Sequence, residues 1–170
     1  MENGRNEIGG RQLVAGYLGV VLMLIGGIIL LPLAALPAFW DEVSMARYFT
    51  VPGVAAVFAG YVMYLPIKGR EALRLTGHQD ALILVSWVLA IVFCAVPLMM
   101  PGNYDFTQAV FECTSGWSTT GLSVVDVTRC PRIFLLYRSI MLFFGGVGLV
   151  LVMVSVLSDR HGMRLYSAEG

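Results

Sequence analysis

Four stretches of this chain are long and apolar: residues 13–36, 48–67, 81–100 and 134–158. The first three carry no charged side chain, and the fourth carries only Arg138, near its start. At 1.5 Å rise per residue, a helix of 24 residues covers about 36 Å, enough to cross a hydrocarbon core about 30 Å thick with some tilt. The pattern therefore predicts four membrane-spanning helices. Pro32 and Pro37 are expected to kink and then end the first. Pro52 falls near the start of the second, where a missing N–H matters least, and Pro66 near its end. A short connection with Asp41, Glu42 and Arg47 joins the first two spans, and a polar linker, residues 68–80, joins the second to the third. Pro101-Gly102-Asn103 closes the third, and residues 159–170 form a polar tail.

Between the third and fourth spans the pattern changes. Residues 105–123 open like a helix and end in small hydroxylated residues and glycine: Ser115-Gly116-Trp117-Ser118-Thr119-Thr120-Gly121-Leu122-Ser123. Asp105 with Gln108 three residues on reads as a capping box. A half-length helix over 106–115 follows, too short to span a membrane but long enough to point into it. Its C-terminal end carries partial negative charge and favours a cation. Gly116 is expected to break it, leaving 118–121 extended. Polar backbone at membrane depth is tolerated where it has polar work to do, and successive carbonyls can replace an ion's water shell. Gly121 permits backbone angles closed to other residues. This points to ion permeation rather than catalysis; a buried polar turn with no ion is the plainer alternative.

Other residues near this segment carry two readings each. Glu112, the one acid of the half-helix 106–115, either draws cations to a mouth or serves as a structural partner, with Arg138 as the candidate ion pair. Trp117 reads as a packing or anchoring aromatic. Gly145, Gly146 and Gly148 read either as close helix packing or as a flexible, gating point in the fourth span.

Composition agrees with a membrane chain: 58% hydrophobic and 13% charged, with eleven basic residues balancing eleven acidic ones. A soluble domain carries about 25% charge. Zero net charge gives nucleic-acid binding no support. Cys94, Cys113 and Cys130 form no CxxC pair, hence neither a disulfide framework nor a zinc site. The first apolar run exceeds a signal h-region and lacks a small-x-small cleavage site, so it reads as a retained anchor. Basic residues fall seven to one side (Arg5, Arg11, Lys68, Arg70, Arg74, Arg160, Arg164) and four to the other (Arg47, Arg129, Arg132, Arg138). By the positive-inside rule both termini are cytoplasmic. Residues 105–123 must then enter and leave on one side.

The ordered motifs carry a family resemblance. Gly77-His78-Gln79-Asp80-Ala81, Phe111-Glu112 with Ser115-Gly116 and Ser118-Thr119-Thr120-Gly121, Tyr137-Arg138 with Phe144-Gly145-Gly146-Val147-Gly148, and Leu165-Tyr166-Ser167-Ala168-Glu169 follow one another. This set resembles the first membrane-pore-membrane repeat of the Trk/Ktr/HKT superfamily of potassium transporters, nearest the bacterial Trk-type membrane subunit. The resemblance implies an all-α membrane fold in two parts: residues 1–76, an N-terminal two-helix segment, and 77–170, one helix–pore helix–filter–helix repeat with a short cytoplasmic tail. It implies K⁺ as the transported ion, held by backbone carbonyls of Thr119, Thr120 and Gly121, with Leu122 and Ser123 on the outer side. No covalently bound cofactor is implied. The implied partners are the remaining pore repeats or other copies of the chain as a homo-oligomer, a cytoplasmic nucleotide-binding regulatory subunit, and the lipid of the bacterial inner membrane. The family has four repeats where this chain has one, so the chain is expected to be the N-terminal part of such a transporter.

Three rivals remain. A homotetrameric channel would carry Thr-Val-Gly-Tyr-Gly, which Thr119-Thr120-Gly121-Leu122-Ser123 does not match. A serine protease would need a base near Ser118, and His78 and His161 lie in segments expected to be cytoplasmic. A non-conducting membrane scaffold needs only the helices and their small-residue faces.

Overall fold

The computed structural model describes residues 10–68, 79–126 and 128–168. The linker expected at 68–80 lies outside them except at its ends. Among the described residues the chain is helical with no strand, and four helices are long and apolar enough to cross a membrane. The expected all-α membrane fold is the one observed.

Helix α1 spans Gly10–Leu30 and passes into a 3-10 helix, Leu31–Ala38, holding Pro32 in its first turn and Pro37 in its last. The two prolines thus act as expected, changing the helix and then ending it. The connection to the next span is itself a 3-10 helix, Trp40–Ala46. Helix α2, Arg47–Tyr64, follows and ends in a 3-10 turn at Leu65–Ile67. Pro52 lies inside α2, beyond its first turn, which corrects its expected place where a missing N–H matters least. Helix α3 is Gln79–Met99, α4 is Phe106–Trp117 and α5 is Arg132–Ala168. α5 continues through the expected polar tail, since no proline follows Pro131 to stop it.

α1 and α2 form an antiparallel pair whose backbones nearly touch. A Cβ on Gly60 would stand 2.5 Å from the Gly19 carbonyl oxygen, and one on Gly26 would stand 2.8 Å from that of Gly53. In lipid, where apolar side chains gain nothing by leaving the solvent, such close approach is what associates helices. Gly60→Leu is therefore expected to destabilise the protein by about 2 kcal/mol through overpacking. Gly27→Leu is the control, since a Cβ there meets nothing within 4 Å. Thermal unfolding of the two variants in detergent should separate them; equal loss would remove the contact's importance.

All five helices contribute to one core. Ile25 and Ile29 of α1, Phe49 of α2, Cys94 and Leu98 of α3, Cys113 of α4, and Ile133, Tyr137 and Met141 of α5 are buried together. Phe49 packs on Phe134 and Tyr137, with ring centroids 5.0 and 5.2 Å apart. The Tyr137 hydroxyl donates to the Cys94 carbonyl at 3.0 Å. This core is continuous across the 76/77 boundary. Phe58, Leu84, Phe143 and Leu151 point outward instead, as suits a lipid-facing surface.

Candidate functional site

Helix α4 begins at the predicted capping box. The Asp105 carboxylate accepts the Gln108 N–H at 2.8 Å, and the Gln108 side chain accepts the Asp105 N–H at 3.1 Å. Its 12 residues cover about 18 Å, roughly half a membrane. The helix runs two residues beyond Ser115, through Gly116, to Trp117. The expected break at Gly116 is thus corrected. Gly116 is buried, and its added Cβ would meet the Met141 Cβ at 3.2 Å, so the glycine serves close packing on α5. The helix stops at Ser118, whose N–H still reaches the Thr114 carbonyl at 2.9 Å.

The chain then turns back on the helix end. The Thr119 N–H donates to the Gly116 carbonyl at 3.1 Å, and those of Thr120 and Gly121 donate to the Ser115 carbonyl at 3.0 and 3.4 Å. Gly121 takes φ +76°, a backbone angle that favours glycine. Thr119 takes φ +58°, which the sequence did not reveal. A branched residue there is strained by roughly 1–2 kcal/mol. Its hydroxyl donates to the Ser118 carbonyl at 2.7 Å. Among the described residues, no backbone donor reaches the carbonyl oxygens of Thr119, Thr120 or Gly121. The next carbonyl, Leu122, is taken by the Ser115 hydroxyl at 2.6 Å. Residues 118–124 are exposed on the open side of the turn.

Glu112 ties down the return segment. One carboxylate oxygen accepts the Ser123 hydroxyl at 2.8 Å and the N–H groups of Val124 and Val125 at 2.7 and 3.3 Å. The other pairs with Arg138 Nε at 2.9 Å. Glu112 is buried and Arg138 nearly so. A buried carboxylate is tolerable when its charge is paired, and here one oxygen is hydrogen-bonded to the return segment while the other faces only Arg138. Of the two readings, the structural one with Arg138 describes the contacts found. Ser115 and Ser123, as side chains that hold the turn, were missed. They bond segments seven and eleven residues away around a reversal, a separation with no periodic signal.

Gly145, Gly146 and Gly148 lie within continuous α5. A Cβ on Gly145 would stand 2.3 Å from the Trp117 carbonyl oxygen, so the α5 backbone rests directly on the end of α4. An added Cβ on Gly146 would lie 3.5 Å from Thr119 Cγ2, and one on Gly148 3.8 Å from Trp87. The contacts are those of close packing; no unwound point interrupts the helix. Trp117 is buried edge-on to Trp87, centroids 6.2 Å apart, as a packing aromatic.

Just before α4 and α5, burial pushes the Tyr104 hydroxyl up to about 12 and the Cys130 thiol up from its ordinary value. The Thr128 hydroxyl and N–H, both donating to Asp126, hold that exposed carboxyl below its usual range.

Comparison with known proteins adds a family. Residues 48–170 match the model of the TrkH family, described as cation transport protein. The Trk system potassium uptake protein TrkG of Escherichia coli K12 is 34% identical over 145 residues, covering 82% of this chain and 30% of that protein. The Trk system potassium uptake protein TrkH of Halomonas elongata is 31% identical over 165 residues, covering 93% of this chain and 33% of that protein. A cation transporter of Methanocaldococcus jannaschii, named as uncharacterized, is 29% identical over 156 residues, 89% of this chain and 32% of its own length. The chain spans about a third of the length of these curated relatives. No solved structure matches it.

Proposed function

The chain belongs to the TrkH family of cation transport proteins, and from that premise we propose that it forms one quarter of a potassium-uptake pathway across the cytoplasmic membrane. Its relatives named as potassium uptake proteins support the ion. One observation carries the site. The N–H groups of Thr119, Thr120 and Gly121 are all engaged on the end of α4, leaving three carbonyls unclaimed on the exposed side of the turn. Carbonyls so placed suit a dehydrated K⁺, and the negative end of α4 behind them adds to the attraction. Glu112 and Arg138 hold the turn and do not touch the ion. Residues 1–76 act as a supporting pair and 77–170 as the pore repeat, with both termini cytoplasmic.

One turn supplies one side of an ion's shell. Three more come from further repeats or from other copies of the chain in a homo-oligomer, and a cytoplasmic nucleotide-binding subunit regulates the assembly. The test is potassium uptake at low external K⁺ by cells lacking their own K⁺ systems. The chain is expressed alone and together with segments supplying further pore loops. Uptake only in the second case supports a pathway completed by other repeats; uptake by the chain alone supports self-assembly. No uptake in either case, with protein in the membrane, would favour a non-conducting scaffold.

Thr119→Ala is expected to lower flux less than any substitution at Gly121, because the ion meets the Thr119 carbonyl and not its hydroxyl. Flux measured at equal expression checks this; the reverse ranking would count against backbone coordination.

A further inference from the structure

Helix α5 starts without a cap of its own. Its first turn holds no acidic residue. Its hydrogen-bond ladder begins with the N–H groups of Phe134 and Leu135 on the Pro131 carbonyl at 3.1 and 3.2 Å. The N–H groups of Arg132 and Ile133 precede that ladder and need partners from elsewhere. Both find one in Glu42, 90 residues away: one carboxylate oxygen accepts Arg132 N–H at 2.9 Å, the other accepts Ile133 N–H at 2.8 Å. A carboxylate astride two N–H groups at a helix start is favoured by the dipole and by charge-assisted bonding.

The Arg132 side chain closes over the same group. Its Nε lies 3.4 Å from Glu42, its terminal nitrogen pairs with Asp41, and its guanidinium stands 5.3 Å over the Phe39 ring. The Glu42 side chain is only 12% exposed. Phe39, Asp41 and Glu42 all belong to the turn joining α1 and α2. The N-terminal pair thus grips the outer end of α5. Further down, α5 presents Arg138 to Glu112 and Gly145 to the Trp117 carbonyl.

We infer that Glu42 is a positioning residue for the Thr-Thr-Gly turn: as an N-cap supplied by the α1–α2 pair, it sets the rotation and depth of α5, and α5 sets the turn. This rests on the permeation role proposed above. A simple Glu42–Arg132 ion pair predicts otherwise in one respect. Exchanging the charges would restore a side-chain pair, whereas the backbone N–H groups of Arg132 and Ile133 can donate only to an acceptor at position 42.

Cys130, half-buried two residues ahead of α5, is a native reporter, while Cys94 and Cys113 are buried in the core. N-ethylmaleimide labelling of Cys130 is measured in membranes holding the full chain in a conducting assembly. K⁺ over Na⁺ preference in uptake is measured on the same material. The variants are Glu42→Ala, Glu42→Gln, Arg132→Ala and the E42R/R132E exchange. Labelling is expected to rise about fivefold in Glu42→Ala and in the exchange, the size of a lost cap, and by less in Glu42→Gln, which keeps one acceptor. K⁺ preference should fall in the same order, while Arg132→Ala leaves both readouts within about twofold of wild type.

Wild-type labelling in Glu42→Gln and Glu42→Ala, or rescue by the exchange, would overturn the cap. Faster labelling with unchanged K⁺ preference would overturn its positioning role. Where Glu42→Ala fails to reach the membrane, Glu42→Gln against Arg132→Ala decides. Gly121→Ala, run alongside, separates the two readings. If it leaves K⁺ preference intact while labelling follows Glu42, the assignment of the turn fails and the cap stands.

Discussion

Gly121→Ala should lower K⁺ uptake by about tenfold and narrow the preference for K⁺ over Na⁺, although it adds only a methyl group to open space. Beyond its own chain neighbours no atom lies within 4 Å of where that methyl would sit, so a clash with the rest of the protein is not the cause. The cause is the backbone. Gly121 sits at φ +76°, and any side chain there is disfavoured by roughly 1–2 kcal/mol. The chain can relieve this by rotating the Gly121 peptide, which also turns its neighbours' carbonyls. Thr119 is already strained at φ +58°, so a second unfavourable residue two positions on has little slack to draw on. Gly121→Asp should be more severe in flux, since it also places a carboxylate beside the carbonyls. Uptake and K⁺/Na⁺ competition in a conducting assembly are the measurements. Wild-type behaviour in both variants would remove these three carbonyls from the pathway.

Glu112→Ala should have the largest effect on stability, about 3–5 kcal/mol, because it strands Arg138 as a buried unpaired charge. It also releases the Ser123 hydroxyl and the N–H groups of Val124 and Val125. The return segment then loses its tether, and uptake should be lost with it. Glu112→Gln should be milder, because its amide oxygen can still accept from residues 123–125. Removing both charges, in Glu112→Ala/Arg138→Met, should recover part of the stability, since removing both partners of a buried pair is tolerated better than removing one. Thermal unfolding in detergent and the amount of protein in the membrane are the readouts. A double variant as damaged as Glu112→Ala would show that the ion pair is not the main contribution.

Several features of the site were legible from neighbouring residues. The Asp105–Gln108 box is a local pattern, and its two hydrogen bonds are present. The positive φ of Gly121 follows from glycine ending a turn of hydroxylated residues. The Glu112–Arg138 pairing was foreseeable because a single acid and a single base occur in facing apolar segments, and each at depth needs the other. Gly116 misled for a physical reason. Glycine's low helix propensity marks a break only where tertiary contact does not override it, and here Met141 packs against it. The same holds for Gly145, whose meaning lies in the Trp117 carbonyl it touches. Glu42 read as an ordinary loop acid, because nothing near it in the chain indicates a helix start 90 residues on.

By itself the sequence determined the four apolar spans, the capped half-helix between the last two, the glycine at its turn and the family. Each of these depends on consecutive residues: hydropathy against a membrane of set thickness, a cap within one helical turn, a φ that favours glycine. Only the tertiary structure decided where α4 ends, that Thr119 is strained, that Gly19 and Gly60 let α1 and α2 touch, and that Glu42 caps α5. These depend on distances between backbone atoms far apart in the chain, which are set once all five helices share a core.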